Sequence, residues 1–317
     1  MIQKLVAPSG LRAIAIFVAC GAGLYLAATV WAGFDTALAS LQRIGLPAML
    51  GGALLASLSY VLRFLRWRSL LRRFGHAIPD LHHFAVYVAG LALTPSPGKL
   101  GETLRSALLL PWGVTVEQSL AAFLVDRMSD VLGITMLGVI AARLAGQPLP
   151  ILEYLLVGAW LSATLFRMLM LRLGESVWNW LSARGQRRPL QLLVRVVDAW
   201  AVLWRPSRVP VYALIAAAAY GVQALVFWGF ARLAGIDISV ASAISMFANA
   251  TLFGAASMLP GGLGAMEAAL VFQLDGATPG AGVSVSVAIA TRIVTLWCGV
   301  LAGLIALLRV SGKPVRV

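Results

Sequence analysis

Eight ionisable side chains stand inside stretches that are otherwise apolar: Lys99, Glu102, Arg105, Asp126, Arg127, Asp130, Glu267 and Arg292. Four are bases and four are acids, so their formal charges cancel. Such groups can bind a charged ligand, carry a proton, or pair with one another and lock helices together. A charge at the centre of a membrane helix costs about 2.5–3.5 kcal/mol or more, so each must find a partner or line a wet cavity. Asp126 and Asp130 share one helical face, and Arg127 neighbours Asp130 at i, i+3. Arg292 keeps its charge at any ordinary pH and needs an acid or a phosphate opposite it.

Two of the acids follow a repeated motif. The stretches LTPSPGKLGETLRSALLL (93–110) and SMLPGGLGAMEAALVF (257–272) both contain Pro-Gly-x-Leu-Gly. Proline removes a donor and glycine is conformationally loose, so a helix cannot run undisturbed through Pro97, Gly98 and Gly101, or through Pro260, Gly261, Gly262 and Gly264. Each break is followed closely by an acid, Glu102 or Glu267, and about one membrane crossing later by an arginine, Arg127 or Arg292. Paired breaks at matching places in two halves of a membrane protein point to a binding site. A helix N-terminus just after each break would also present N–H groups to an anion. The eight charged residues are therefore the candidate substrate-binding set, and the prolines and glycines are the helix-break set.

The elements that must position these groups are membrane helices. The chain has 317 residues, 60% of them hydrophobic and only 12% charged, with a mean hydropathy of +0.89. Several apolar runs reach the roughly 20 residues that span a bilayer. The run 13–34 holds 22 uncharged residues, too long for a signal-peptide core, and reads as an uncleaved first helix. Further crossings are expected at 44–65, 118–142, 151–170, 209–231 and 283–308. The pieces 84–98 and 106–116 are too short to cross singly, so 84–110 reads as a re-entrant helical hairpin, and 238–274 reads as a second one.

The expected fold is thus all-α: a polytopic integral membrane protein of about six full crossings and two re-entrant hairpins in an inverted repeat. It forms one membrane domain over 1–317, with a first half 1–142 and a second half 151–317. Within the second half, 172–208 carries seven arginines, four tryptophans and an apolar stripe of Leu192, Leu193, Val196, Val197 and Trp200. That mixture describes an amphipathic segment lying at the membrane surface.

The net charge of +13 would suggest nucleic acid in a soluble chain. Here it fits the excess of Lys and Arg in cytoplasmic loops, and no nucleic-acid partner is expected. Cys20 and Cys298 lie in apolar runs and read as buried thiols. His76, His82 and His83 are close in sequence but lack metal-ligand spacing, and no phosphate-binding GxxxxGK[ST] occurs, so neither a metal nor a cofactor is expected.

On RFLRWRSLLRRFG after the second helix, PGKLGETLR, DRMSD at 126–130, PGGLGAMEA and the late Arg292, the chain resembles the flippase-like membrane domain of the lysylphosphatidylglycerol synthase (multiple peptide resistance factor) family. The resemblance covers about 10 to 308, and PGGLGxxE is its most specific element. It implies a membrane fold with re-entrant helices and movement of a charged phospholipid or polyprenyl-linked lipid between leaflets. Full synthases carry a soluble aminoacyl-transferase domain after the membrane part. The expectation here is a stand-alone member without it.

The expected function is a lipid flippase, not an enzyme, whose partners are the bilayer and a membrane lipid with a polar head. Rival readings are a membrane-embedded lipid-modifying transferase and a non-catalytic partner of a cell-envelope lipid enzyme. A second copy of the chain is a further candidate partner. No nucleophile and base stand together to favour the transferase. The expected location is the bacterial cytoplasmic (inner) membrane, multi-pass, with both termini cytoplasmic. On that layout the cytoplasmic segments hold 18 Lys and Arg, and the outer ones hold three: Arg43, Arg143 and Arg232. A cysteine placed at Gln147 should therefore react with an impermeant reagent from outside the cell. Labelling from the cytoplasmic face alone would reverse the arrangement.

Overall fold

In the computed structural model, the structure describes residues 42–94, 101–147, 188–275 and 281–311 and most of 157–172. Helix α1 spans Leu46–Arg72 and α2 spans Asp80–Ala89, followed by a 3₁₀ turn, Gly90–Leu93. Helix α3 is short, Gly101–Leu109, and α4 is long, Val116–Leu144. Then come α5 (Arg188–Leu203), α6 (Val209–Leu233), α7 (Val240–Ala256), α8 (Ala265–Asp275), α9 (Ala281–Arg292) and α10 (Cys298–Ser311). Helical residues also occur in 157–172, and among the described residues there is no strand. Apart from Gly23, the expected first crossing, 13–34, lies outside the described residues, as does most of 173–187.

Among the described residues, three stretches, Leu46–Arg72, Val209–Leu233 and Gly282–Val310, are long and apolar enough to cross a membrane. At 1.5 Å per residue, α1 is about 40 Å long, more than the hydrocarbon core needs. Its Leu46, Leu50 and Leu54 face outward at 71%, 58% and 76% exposure, as do Leu214 on α6 and Leu308 on α10. An outward leucine face suits lipid. Helix α4, at 29 residues, is longer still, but Asp126, Arg127 and Asp130 interrupt its apolar run.

Local signals set the ends. Thr115 and Gln118 form a capping box at the start of α4, the Thr115 hydroxyl accepting from the Gln118 N–H at 3.3 Å. The Ser239 hydroxyl accepts from the Ser242 N–H at 3.0 Å and starts α7. The second crossing outruns its expected end at 65, because RFLRWRSLLR is built of good helix formers and its buried arginines find partners.

The second break is present in the backbone. Helix α7 stops at Ala256, Met258 takes φ +55°, and Gly261, Gly262 and Gly264 take φ +61°, +66° and +82° before α8 begins. These left-handed values suit glycine. Helices α7 and α8 fold back on each other as an antiparallel hairpin. Gln273 donates to the Met246 carbonyl at 3.1 Å, and Met266 packs on Gly254. Helices α2 and α3 flank the first break in a similar way, with Leu93 and Leu104 in one buried cluster. The tip itself, 95–100, lies outside the described residues.

Helices α1, α4 and α6 pack mutually, and each hairpin docks on a helix from the other half. Helix α7 of the second hairpin lies on α4, and α2 with its 3₁₀ turn lies on α10. In lipid, helix contact rests on close van der Waals packing more than on hydrophobicity, so small residues mark the seams. A Cβ on Gly133 of α4 would meet Ala216 Cβ at 2.5 Å and the Ala213 carbonyl oxygen at 2.6 Å, both on α6. A Cβ on Gly303 of α10 would overlap the Ala92 nitrogen and meet the Val88 carbonyl oxygen at 2.9 Å.

The amphipathic α5 packs on α4 with part of the expected stripe. Val196 and Trp200 are buried, whereas Leu192 and Leu193 stay exposed. Trp204, just beyond its end, completes the buried face at 0% exposure.

Gly303→Leu should destabilise the protein by about 1–3 kcal/mol, the usual cost of overpacking. Gly51→Ala, at an open helical position with nothing within 4 Å, should leave stability equal or slightly higher. Thermal melts in one detergent compare the two. Equal melting temperatures for Gly303→Leu and wild type would remove the seam.

Candidate functional site

Arg66 extends from α1 toward α4 and is fully buried. Its Nε donates to Asp126 Oδ1 at 2.8 Å and its Nη2 to Asp130 Oδ1 at 2.6 Å, so one guanidinium spans both carboxylates. The i, i+4 spacing of the two acids places them on one face for that fork to bridge. From the other side, Arg127 Nη2 approaches Asp126 Oδ2 at 2.6 Å and Asp130 Oδ2 at 3.1 Å. Two arginines and two aspartates thus neutralise one another inside the bundle and tie α1 to α4.

A second charged group sits at the second break. Arg292 ends α9, and its Nε donates to Glu267 Oε1 at 2.8 Å. Its Nη2 donates to the Gly261 carbonyl at 2.8 Å, satisfying an acceptor exposed by the broken helix. Glu267 lies in the first turn of α8, where the helix dipole favours an acid. Directly after Arg292, residues Ile293–Trp297 form a π segment. The Tyr60 hydroxyl on α1 donates to the Thr295 carbonyl there at 2.7 Å. Bulges of this type leave backbone acceptors for side chains to meet.

Arg105 on α3 is 2% exposed. Its guanidinium lies 4.1 Å from the Tyr87 ring centre and 5.3 Å from that of Trp67, and its Nε donates to the Tyr87 carbonyl at 3.2 Å. Cation–π contact helps to hold a guanidinium in an apolar site.

Between these groups lies a cavity of about 480 Å³. Arg105, Arg127, Asp130 and Arg292 line it, together with Tyr60, Arg63, Tyr220 and Gln223. Segments on both sides of the first break (Gly90–Thr94 and Arg105) and Gly261 and Gly262 of the second also contribute. Asp126 and Glu267 are not in the lining, and each holds an arginine that is. Of the remaining candidates, Gly101 and Glu102 begin α3, with the Glu102 side chain outside the described set. Pro97, Gly98 and Lys99 are outside it altogether.

The sequence reading missed Arg63 and Arg66, which it counted among the cytoplasmic bases. Both point into the bundle, so the cytoplasmic count falls from 18 to 16. A usable signal was present: Tyr60, Arg63 and Trp67 fall on one helical face. The composition of the run concealed it. The three histidines take separate neighbours: His76 Nε2 lies 2.7 Å from Gln118 Oε1, the His82 ring sits tilted against Trp112, and His83 meets Phe64 edge-on.

An all-helical membrane protein whose buried charges surround a cavity between helix hairpins is the class that this geometry defines. The family model for the lysylphosphatidylglycerol synthase TM region matches residues 12–303, and the chain belongs to that family. It is also similar to a UPF0104 membrane protein of Methanothermobacter thermautotrophicus, with 23% identity over 264 residues, covering 74% of this chain and 76% of that one.

Asp126→Asn should lower stability by about 3–5 kcal/mol, because it leaves buried arginine charge uncompensated. Adding Arg66→Met should recover a large part of that loss. Chemical or thermal denaturation of the single and double variants measures both. Additive losses would contradict the bridged network.

Proposed function

We propose that this protein translocates a lipid with a polar head group between bilayer leaflets. The head would pass through the charged cavity while the tails stay in the bilayer. The observation that carries this reading is a cavity of about 480 Å³ lined by arginines from both halves in a chain that is 60% hydrophobic. Intramembrane charge is expensive, and lining a wet path is one of the few arrangements that sustains it. Membership of a synthase membrane-region family adds support for a lipid-related role. We read the chain as a transporter and not an enzyme, in the bacterial cytoplasmic membrane, moving its lipid passively or by a gradient acting through the buried acids.

The two hairpins are read as re-entrant, and the halves as an inverted repeat. Three features support this. Each Pro-Gly-x-Leu-Gly is followed by an acid and, 25 residues after that acid, by an arginine. Each hairpin docks on the helix that follows the other hairpin. The 16-to-3 split of bases still favours cytoplasmic termini and a cytoplasmic 172–208. Transporter sites lie at such repeat interfaces, where broken helices meet.

The experiment is a fluorescent-lipid translocation assay in vesicles that contain only this protein. Wild type should move lipid faster than protein-free vesicles. Glu267→Gln keeps the side-chain shape but weakens the hold on Arg292, and it should cut the rate at least about tenfold, equivalent to about 1.4 kcal/mol. Its melting temperature should change proportionately less. No movement by wild type above the protein-free rate would sink the reading.

A further inference from the structure

We propose that the cavity recognises the phosphate of an anionic lipid head group, and that Arg63, held over Tyr220, is its receptor. This rests on the translocation reading and narrows its substrate class. Arg63 is set apart from the other cavity arginines by its surroundings. Its guanidinium carbon lies 4.3 Å from the centre of the Tyr220 ring. Among the described residues it forms no ion pair, and its buried Nε has no hydrogen-bond partner. Asp130, the carboxylate in the cavity lining, is already engaged by Arg66 and Arg127. A guanidinium stacked on an aromatic face keeps the outer edge of its planar fork free, and that fork matches two phosphate oxygens.

The charge balance points the same way. Among the described side chains around the cavity, Arg66 and Arg127 are paired with Asp126 and Asp130, and Arg292 with Glu267, whereas Arg63 adds a positive charge that none of these carboxylates pairs with. Uncompensated charge away from bulk water is costly, and a bound anion lowers that cost. A phosphate head group supplies a negative charge opposite Arg63. A zwitterionic head adds no net charge. The site should therefore rank a lipid with an anionic head group above a zwitterion.

The test is ligand binding to the purified full chain in detergent, read by thermophoresis, with dihexanoyl phosphatidic acid, dihexanoyl phosphatidylcholine and inorganic phosphate as probes. Wild type should bind the phosphatidic acid at least about tenfold more tightly than the phosphatidylcholine, a difference of about 1.4 kcal/mol. Arg63→Gln should erase that preference, and Arg63→Lys should keep part of it. Should Arg63→Gln fail to fold, Tyr220→Leu removes the ring beneath the guanidinium and should reduce the preference severalfold. Equal affinities for the two lipids, or an unchanged preference in a folded Arg63→Gln, would overturn the assignment. Inorganic phosphate that binds but is not displaced by phosphatidic acid would assign the site to free phosphate and overturn the lipid proposal. In either case, movement of a zwitterionic lipid in vesicles would leave the translocation reading standing. If wild type moves no lipid in vesicles, that reading fails by itself, whatever phosphate binds.

Discussion

The bridge from Arg66 to Asp126 and Asp130 is the interaction on which the rest of the bundle depends. All three groups are buried, and two short contacts, 2.8 and 2.6 Å, hold them. Bringing these charges out of water carries a large desolvation penalty, which the attraction offsets only with near-ideal geometry. That geometry fixes the rotation of α1 against α4. With α1 so turned, Tyr60 and Arg63 face the cavity, and Tyr60 reaches the π segment beyond Arg292. One charge cluster thereby sets the orientation of the residues that line the interior.

Broken backbone and buried arginine are two sides of one arrangement. A helix interrupted inside an apolar bundle exposes carbonyls that need donors. At the second break, Arg292 supplies one to Gly261 while Glu267 balances its charge. At the π segment, Tyr60 supplies another to Thr295. The polar interior is therefore held together partly by the irregular backbone that the Pro-Gly-x-Leu-Gly motif creates. Arg63 falls outside this accounting, since among the described residues it forms no ion pair and its Nε has no hydrogen-bond partner.

Much of this was legible in the sequence for local reasons. Pro260, Gly261, Gly262 and Gly264 break a helix wherever they occur, and the apolar runs at 209–231 and 283–308 are long by themselves. The pairing of Arg127 with Asp130 follows from helical spacing. The role of Arg66 was not legible, because its acids stand 60 and 64 positions away and nothing local separates it from Arg68 or Arg72. The same composition drew the end of α1 too early. The surface stripe of 172–208 was read as one face, yet packing on α4 divides it, burying Trp200 and leaving Leu193 outside. Such choices depend on tertiary partners, which a single helix does not display.

The central claim is that the space between the hairpins is a water-accessible polar path. Single cysteines at Thr94 beside the first break and Thr251 on the second hairpin, in a chain with Cys20 and Cys298 replaced by Ser, test it most directly. Both residues line the cavity. Ala248, buried at 0% exposure where α7 meets Gly138, is the control. Both cavity cysteines should react with a small, membrane-impermeant thiol reagent in sealed vesicles, while a cysteine at Ala248 should not. Thr94→Cys and Thr251→Cys that stay as unreactive as Ala248→Cys from both faces of the membrane would contradict the path.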